Sequence, residues 1–185
     1  LHQHGGRLYT DDLLYTGLDS TEAYDAFVQH CEFYTLYGVP VNANFFNRFR
    51  SGEMPIGFCD LNTYMQFATA APELAGRWGI ALLPGIEQDD GTVNHDMGGV
   101  LTNASMILAQ SDNQEDAWEF IKWWMSTETQ VEYGSRVEGA MGEASRVASA
   151  NMEAFESMNW DPEHLSVLKE AFNYTFFSPL SIELN

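Results

Sequence analysis

Asp60, Asn62 and Tyr64 follow directly on a short apolar stretch, MPIGFC, at residues 54–59. A carboxylate accepts hydrogen bonds and an amide both donates and accepts them, so this pair can bind hydroxyls or amines in a defined direction. A tyrosine ring adds an apolar face with a polar tip, which suits a sugar ring. These residue types could line a binding site. The alternative is that Asp60 caps a helix beginning near Thr63 and that Tyr64 is a core residue.

Two further groups of residues raise the question of a metal site. His2 and His4 could ligate zinc, but no cysteine or carboxylate is spaced to complete such a site. The segment EQDDGTVNHD (87–96) is rich in acids, yet it lacks the spacing and the closing glutamate of an EF-hand loop. A turn at Asp90-Gly91 predicts a surface loop or hairpin there. We therefore expect no metal and no cofactor.

Asp60 and Glu138 are a candidate pair of carboxylates for glycoside hydrolysis. That reaction needs two such groups about 5 to 9.5 Å apart. Nothing in the sequence indicates that these two converge. The chain also contains no nucleophile elbow and no phosphate-binding loop. A non-catalytic protein is predicted, with a glycoside-processing enzyme as the lesser alternative.

The charge of the chain excludes some classes of partner. Eight basic residues stand against 27 acidic ones, which gives a formal net charge of −19 over 185 residues. Such a surface repels phosphate backbones and anionic membranes, so nucleic acid is not an expected partner. Cys31 and Cys59 lie in apolar surroundings and are predicted to be buried thiols rather than a disulfide.

The elements that must position these residues alternate between helices and strands. An apolar stripe from Ala23 to Tyr34 at helical spacing predicts an amphipathic helix that ends before Gly38 and Pro40. Buried strands are predicted over 54–59 and 78–83. Further helices are predicted over about 44–50, 63–71, 127–134 and 146–158, and from Asp161-Pro162 onward. Another is predicted to follow a capping box of Ser111 and Gln114 and to carry an apolar stripe from Ala117 to Trp124. This order is typical of an α/β protein.

Trp118, Trp123 and Trp124 lie on one predicted helix and cannot all face the same side. We interpret most of them as core or interface residues rather than as a ligand-stacking group.

Four stretches taken in order resemble the extracellular solute-binding proteins of ABC importers, of the maltose-binding-protein-like type. They are FFNRFRSGEMPIGF, GRWGIALLPG, MGGVLTNASMILAQS and QEDAWEFIKWWMSTETQ. The later stretch DPEHLSVLKEAF, followed by Ser178-Pro179-Leu180, resembles the return helix and final crossing of that family. The resemblance departs from maltose binders in having Asn62 and Tyr64 where a sugar-stacking tryptophan is expected.

The resemblance implies an α/β fold of the periplasmic-binding-protein type II-like class, in which this chain is mostly the C-terminal lobe. Residues 1–102 would form that lobe, 103–158 a returning segment that packs on an N-terminal lobe, and 159–185 the return and hinge. The chain begins at Leu1 and is expected to be a piece of a longer protein.

The resemblance also assigns candidate residues. Asp60, Asn62 and Tyr64 would face the ligand cleft, because ligands bind beyond the carboxyl ends of strands in open α/β sheets. His4, Gly5 and Gly6 would line the cleft, and Glu138 and Arg146 would reach it from the other lobe. Gly98, Gly99 and Thr102 would form a hinge strand, the alternative being a tight packing point.

The function implied is the capture of a small solute outside the cell and its delivery to the membrane permease of an ABC importer. The expected solute is a carbohydrate, with a peptide as the alternative. The parent protein would be extracellular, either anchored to the cell surface or periplasmic. An apolar face on the returning segment would drive self-association if nothing else covered it.

Overall fold

The structure is a computed structural model and describes residues 1–99 and 104–176. The helices are α1 (Thr21–Thr35), α2 (Phe45–Ser51), α3 (Leu61–Ala70), α4 (Gln114–Trp124), α5 (Thr127–Met141), α6 (Met152–Glu156) and α7 (Pro162–Phe172). Short 3-10 helices cover His2–His4, Pro72–Leu74 and Glu143–Ser145. The strands are β1 (Ile86–Glu87), β2 (Val93–Asn94), β3 (Gly98–Gly99) and β4 (Thr175–Phe176).

Side-chain caps explain where several helices begin. The Ser20 hydroxyl accepts a hydrogen bond from the Ala23 amide at the start of α1, and Ser126 does the same for the Thr129 amide at the start of α5. At α7, Asp161 Oδ1 accepts from two amides of the first turn, and Pro162 follows. Each cap satisfies amides that have no partner within the helix.

The strands form two small sheets. β1 and β2 pair antiparallel in a hairpin, with a turn at Asp90-Gly91 in which Gly91 has a φ of 80°. The hairpin alternative predicted for residues 87–96 is thus confirmed. β3 and β4 pair parallel, with Gly98 opposite Thr175 and Gly99 opposite Phe176.

The chain divides into two compact units. The first contains Leu1–Asn44, Ala81–Leu101 and Ser166–Asn185, and the second contains Phe45–Ile80 and Thr102–Leu165. Residues 45–80, predicted to belong with the preceding residues, are thus grouped with the segment that follows residue 101. The division predicted at residues 102 and 158 remains a prediction.

An aromatic cluster forms the core of the second unit. Phe67 of α3 is buried and its ring lies 4.9 to 5.7 Å from those of Phe45, Phe46 and Phe49 of α2. The inward orientation predicted for these three phenylalanines is confirmed. Phe155 of α6 is fully buried against Trp160, at 4.6 Å between ring centroids.

Two predicted strands do not form. Residues 54–59 and 78–83 are irregular, and among the described residues neither segment pairs with a strand. A strand needs neighbours for its backbone hydrogen bonds, and Pro55 has no amide hydrogen to contribute. The Met54 amide instead bonds to the Arg48 carbonyl at the end of α2, and Ile56 and Phe58 are exposed. The α/β type II-like class stays a prediction.

Two predicted helices have different lengths in the structure. α5 continues past Gly134 to Met141, because Gly134 is buried within the helix and does not end it. The helix predicted over 146–158 is reduced to α6, which begins where Asn151 caps the Ala154 amide. A capping residue inside a predicted helix therefore marks its true start.

The cysteines are both free, but Cys59 is exposed and Cys31 half-buried, so the prediction that both are buried is wrong. Cys59 ends the irregular segment that was expected to be a buried strand. Within the described residues, the structure contains no helix with the length and apolarity that a membrane crossing requires.

Candidate functional site

A hollow of about 360 Å³ lies in the second unit, beside α3. Four of its lining residues are Asn62, Met65, Gln66 and Thr69. They are spaced i, i+3, i+4 and i+7, so they form one face of α3. Ala70 at the end of α3, together with Ala144 and Arg146, which follow α5, completes the lining. The hollow therefore presents two amides and a hydroxyl beside short apolar side chains and one guanidinium.

Arg146 is the charged residue of this lining, and its side chain is only 2% exposed. Its Nε donates to Glu138 Oε2 at 2.9 Å and its Nη2 to Glu138 Oε1 at 2.6 Å. Nη2 also lies 3.2 Å from Glu143 Oε1. The guanidinium carbon stands 4.9 Å from the ring centroid of Trp160, within the range of a cation–π contact.

This arrangement shifts the pKa values of both Arg146 and Glu138. Hydrogen bonds from Arg146 lower the pKa of Glu138 below its usual value, and hydrogen bonding to Glu138 raises the pKa of Arg146. Both groups are therefore held in their charged forms at neutral pH. Because two carboxylates oppose one guanidinium, the lining carries no excess positive charge that would select an anionic ligand.

Asn62 is exposed on the lining face, so it lies together with Arg146, 84 positions further along the chain. Both were singled out from the sequence. Glu138, the third of the sequence candidates in this region, reaches the hollow only through its bond to Arg146.

Tyr64 does not face a ligand site, because its side chain is 5% exposed. Its ring packs against Trp78, Trp160 and His164, at 5.3, 5.9 and 5.5 Å between centroids. Its hydroxyl lies 3.0 Å from His164 Nδ1, and burial raises the pKa of the phenol. The alternative interpretation of Tyr64 as a core residue is the one that the structure supports.

Asp60 is the N-terminal cap of helix α3. Its Oδ1 accepts a hydrogen bond from the Thr63 amide at 2.8 Å and so caps α3. That bond is the main reason why the pKa of Asp60 lies below its usual value. The capping interpretation therefore accounts for this residue, and the predicted cleft position does not.

The candidates near the start of the chain lie in the first unit. His4 Nε2 is 2.8 Å from Gln29 Oε1 of α1. Gly5 has a φ of 80°, a left-handed conformation that glycine adopts without strain. Gly6 is buried, and a Cβ added there would lie 2.5 Å from Leu1 Cδ1. The glycine at position 6 therefore serves close packing.

His4 also borders a second hollow, of about 500 Å³, next to the hairpin residues 86–90. In the part of the chain that the structure describes, no group of three or more histidine, cysteine, aspartate or glutamate side chains is arranged to hold a metal ion. The predicted ligand residues thus fall into two groups, one in each unit, and each group has its own hollow.

The predicted hinge is partly described. Gly98 and Gly99 form β3, beside β4. Thr102 lies outside the described residues.

Sequence reasoning missed Gln66, Thr69, Glu143 and Trp160. Helical spacing from Asn62 would have found the first two, because they lie four and seven residues further along α3. No local pattern connects Trp160 with Arg146, since their contact depends on how separate segments pack.

Chemically, this lining can hold a neutral polar molecule through directed hydrogen bonds. Asn62 and Gln66 can both donate and accept, and Met65 and Ala144 offer apolar contact. The Thr69 hydroxyl donates its hydrogen to the Met65 carbonyl at 2.9 Å, so it can accept from a ligand. Nη1 of Arg146 is not used by either carboxylate contact and can donate to a further acceptor.

Comparison of the chain with protein-family models gives no match, and comparisons with curated proteins and with solved structures give none either.

Proposed function

We propose that this chain is a non-catalytic binding module that captures a small neutral solute, a carbohydrate, at the hollow beside α3. In the longer protein this solute would be collected outside the cell and delivered to the permease of an ABC importer. The observation that carries the proposal is that Asn62 and Arg146, which lie 84 positions apart in the sequence, line the same hollow.

The chemistry of the lining supports a carbohydrate over a charged solute. Sugar hydroxyls both donate and accept hydrogen bonds, as do the two side-chain amides on this face of α3. Arg146 already opposes two carboxylates, so it has no uncompensated charge for a phosphate or a free carboxylate. The volume of about 360 Å³ falls in the range of small-molecule sites.

The state of the two candidate carboxylates supports a role without catalysis. A glycosidase needs one carboxyl group whose pKa is raised, so that it can donate a proton to the leaving group. The pKa values of Asp60 and Glu138 are instead both lowered, by a helix amide and by Arg146 respectively.

The test is a thermal-shift and calorimetric panel of monosaccharides, oligosaccharides, short peptides and amino acids. A ligand at a hundred times its dissociation constant stabilises the folded protein by about 2.7 kcal/mol. We expect a selective shift with one class of neutral sugar, and we expect Asn62→Ala to weaken the binding about tenfold, the effect of losing one to two directed hydrogen bonds.

Asn113→Ala is the matched control. Asn113 is also exposed at the start of a helix, and its side chain makes no capping bond. Its replacement should leave the shift unchanged. Binding that Asn62→Ala does not weaken, or a response only to peptides, would contradict the proposal.

A further inference from the structure

Four aromatic rings form a continuous surface on α4 and α5, here called the aromatic face: Phe120, Trp123, Trp124 and Tyr133. Neighbouring ring centroids are 5.5, 6.3 and 4.9 Å apart in that order. Phe120 and Trp123 are 59% and 56% exposed, Tyr133 is also exposed, and Trp124 is half-buried. Trp118 and Trp123 are thus not core residues, and their expected role at an interface stays a prediction.

Of the aromatic face, only Trp124 belongs to the side by which α4 packs on its own unit. Ala117, Ile121 and Trp124 are the half-buried residues of the helix, at i, i+4 and i+7. Phe120 and Trp123 lie beside that stripe, and their rings are exposed to solvent. A contiguous exposed aromatic surface of this kind is typical of an interaction site.

The charge around the aromatic face indicates what kind of partner fits. Residues 112–133 contain six carboxylates and a single basic residue, Lys122. The Lys122 ammonium lies 2.5 Å from Glu119 Oε1, so it is already paired. A partner that covered these rings would therefore meet a strongly negative surrounding.

A second copy of this chain would be a poor match for that surrounding. Five of its eight basic side chains are already in ion pairs within the chain, namely Arg7, Arg50, Lys122, Arg136 and Arg146. Two copies, each with a net charge of −19, would also repel each other. The predicted self-association is therefore disfavoured at this surface.

We propose that the aromatic face binds a basic amphipathic segment of a partner protein. Its apolar side chains would cover Phe120 and Trp123, and its lysines or arginines would pair with Asp116 and Glu119 and lie over the exposed rings. Cations bind to the faces of tryptophan and tyrosine, and binding energy at interfaces concentrates in such aromatic anchors.

The test uses fluorescence anisotropy with a labelled synthetic peptide of leucine and lysine whose leucines repeat at i, i+3, i+4 and i+7. A second peptide has the same composition with the leucines in strict alternation, and a third replaces lysine by glutamate. We expect the first peptide to bind at least about tenfold more tightly than either control. Binding should weaken as the salt concentration rises towards about 1 M, because salt screens the charges.

Trp123→Ala should weaken the binding of the first peptide about tenfold or more. Trp118→Ala is the matched control. Trp118 is 53% exposed on the same helix, but it lies about 140° around the helix from Trp123. Both substitutions remove an exposed side chain, and circular dichroism should show an unchanged fold.

Three results would overturn the proposal. The first is equal binding of both lysine peptides, which would indicate attraction by net charge alone. The second is an equal effect of the two tryptophan substitutions. The third is a dimer, seen by analytical ultracentrifugation, that Trp123→Ala dissociates, since a second copy would then occupy the aromatic face.

Discussion

Helices α3 and α1 begin with the same kind of side-chain cap, but they differ in how far they are buried. Each has a side-chain cap that accepts a hydrogen bond from an amide of its first turn, from Asp60 in α3 and from Ser20 in α1. α3 has 10 residues and buries Tyr64, Met65 and Phe67, whereas α1 has 15 residues and buries only Ala23. A cap and an apolar stripe are thus sufficient for a helix but not for its burial.

The difference in burial depends on which side chains pack against each helix. Phe67 contacts all three phenylalanines of α2 as well as Trp78. Phe27 of α1 belongs to the apolar stripe predicted from Ala23 to Tyr34, and it is 65% exposed. Burial depends on partners elsewhere in the chain, which the local period does not reveal.

Replacing these two phenylalanines gives the largest expected contrast. Phe67→Ala removes a ring that is 3% exposed and leaves a cavity among the aromatic side chains. We expect the free energy of unfolding to fall by about 3 to 4 kcal/mol. Phe27→Ala removes an exposed ring and should change it by at most about 0.5 kcal/mol. Urea denaturation followed by circular dichroism measures both, and similar losses would show that α1 is buried in solution.

Two arginines extend the contrast to polar residues. Arg146 and Arg136 each pair with a glutamate, but their side chains are 2% and 79% exposed. Arg146→Ala leaves Glu138 without its bidentate partner and takes the guanidinium off Trp160, so we expect a loss of about 3 kcal/mol in unfolding free energy. Arg136→Ala should cost about 0.5 kcal/mol or less. If the two losses were equal, the burial of Arg146 would not contribute to stability.

The features that could be predicted from the sequence are those that depend on residues close together in the chain. The helix at Asp161-Pro162, the helix near Thr63 and the hairpin at Asp90-Gly91 depend on neighbouring residues, and all three are present. The strands over 54–59 and 78–83 would need hydrogen-bonding partners from elsewhere in the chain, and none is found among the described residues. Apolar runs alone cannot establish that such partners exist.

The candidate site follows the same rule. The family resemblance assigned Asn62 and Arg146 to one ligand cleft from two different lobes, whereas the structure places both at one hollow within the second unit, where α3 packs near the end of α5. Tyr64 was assigned to a cleft because of its side-chain chemistry, whereas its burial depends on Trp78, Trp160 and His164. Residue type indicates what a side chain can bind, and packing decides whether a ligand can reach it.

The smallest expected effect concerns the Glu138–Arg146 pair and is seen as a dependence on pH. The pKa of Glu138 is lower in the folded protein than its ordinary value of 4.5, chiefly because Arg146 donates hydrogen bonds to it. The unfolded chain therefore binds more protons in this range, so stability rises with pH through it. The contribution of the pair is complete above about pH 4.5 and is lost as the pH falls through the folded-state pKa.

Glu138→Gln removes the charge while keeping the size of the side chain. At neutral pH we expect it to lower the unfolding free energy by about 1 kcal/mol, because a charged hydrogen bond becomes a neutral one in a partly exposed pair. Urea denaturation at a series of pH values should show the two curves converging below pH 4.5, where the wild-type carboxylate also becomes neutral. The most acidic sample serves as the internal control. A constant gap between the curves would mean that the side chain stabilises the protein by its shape and not by its charge.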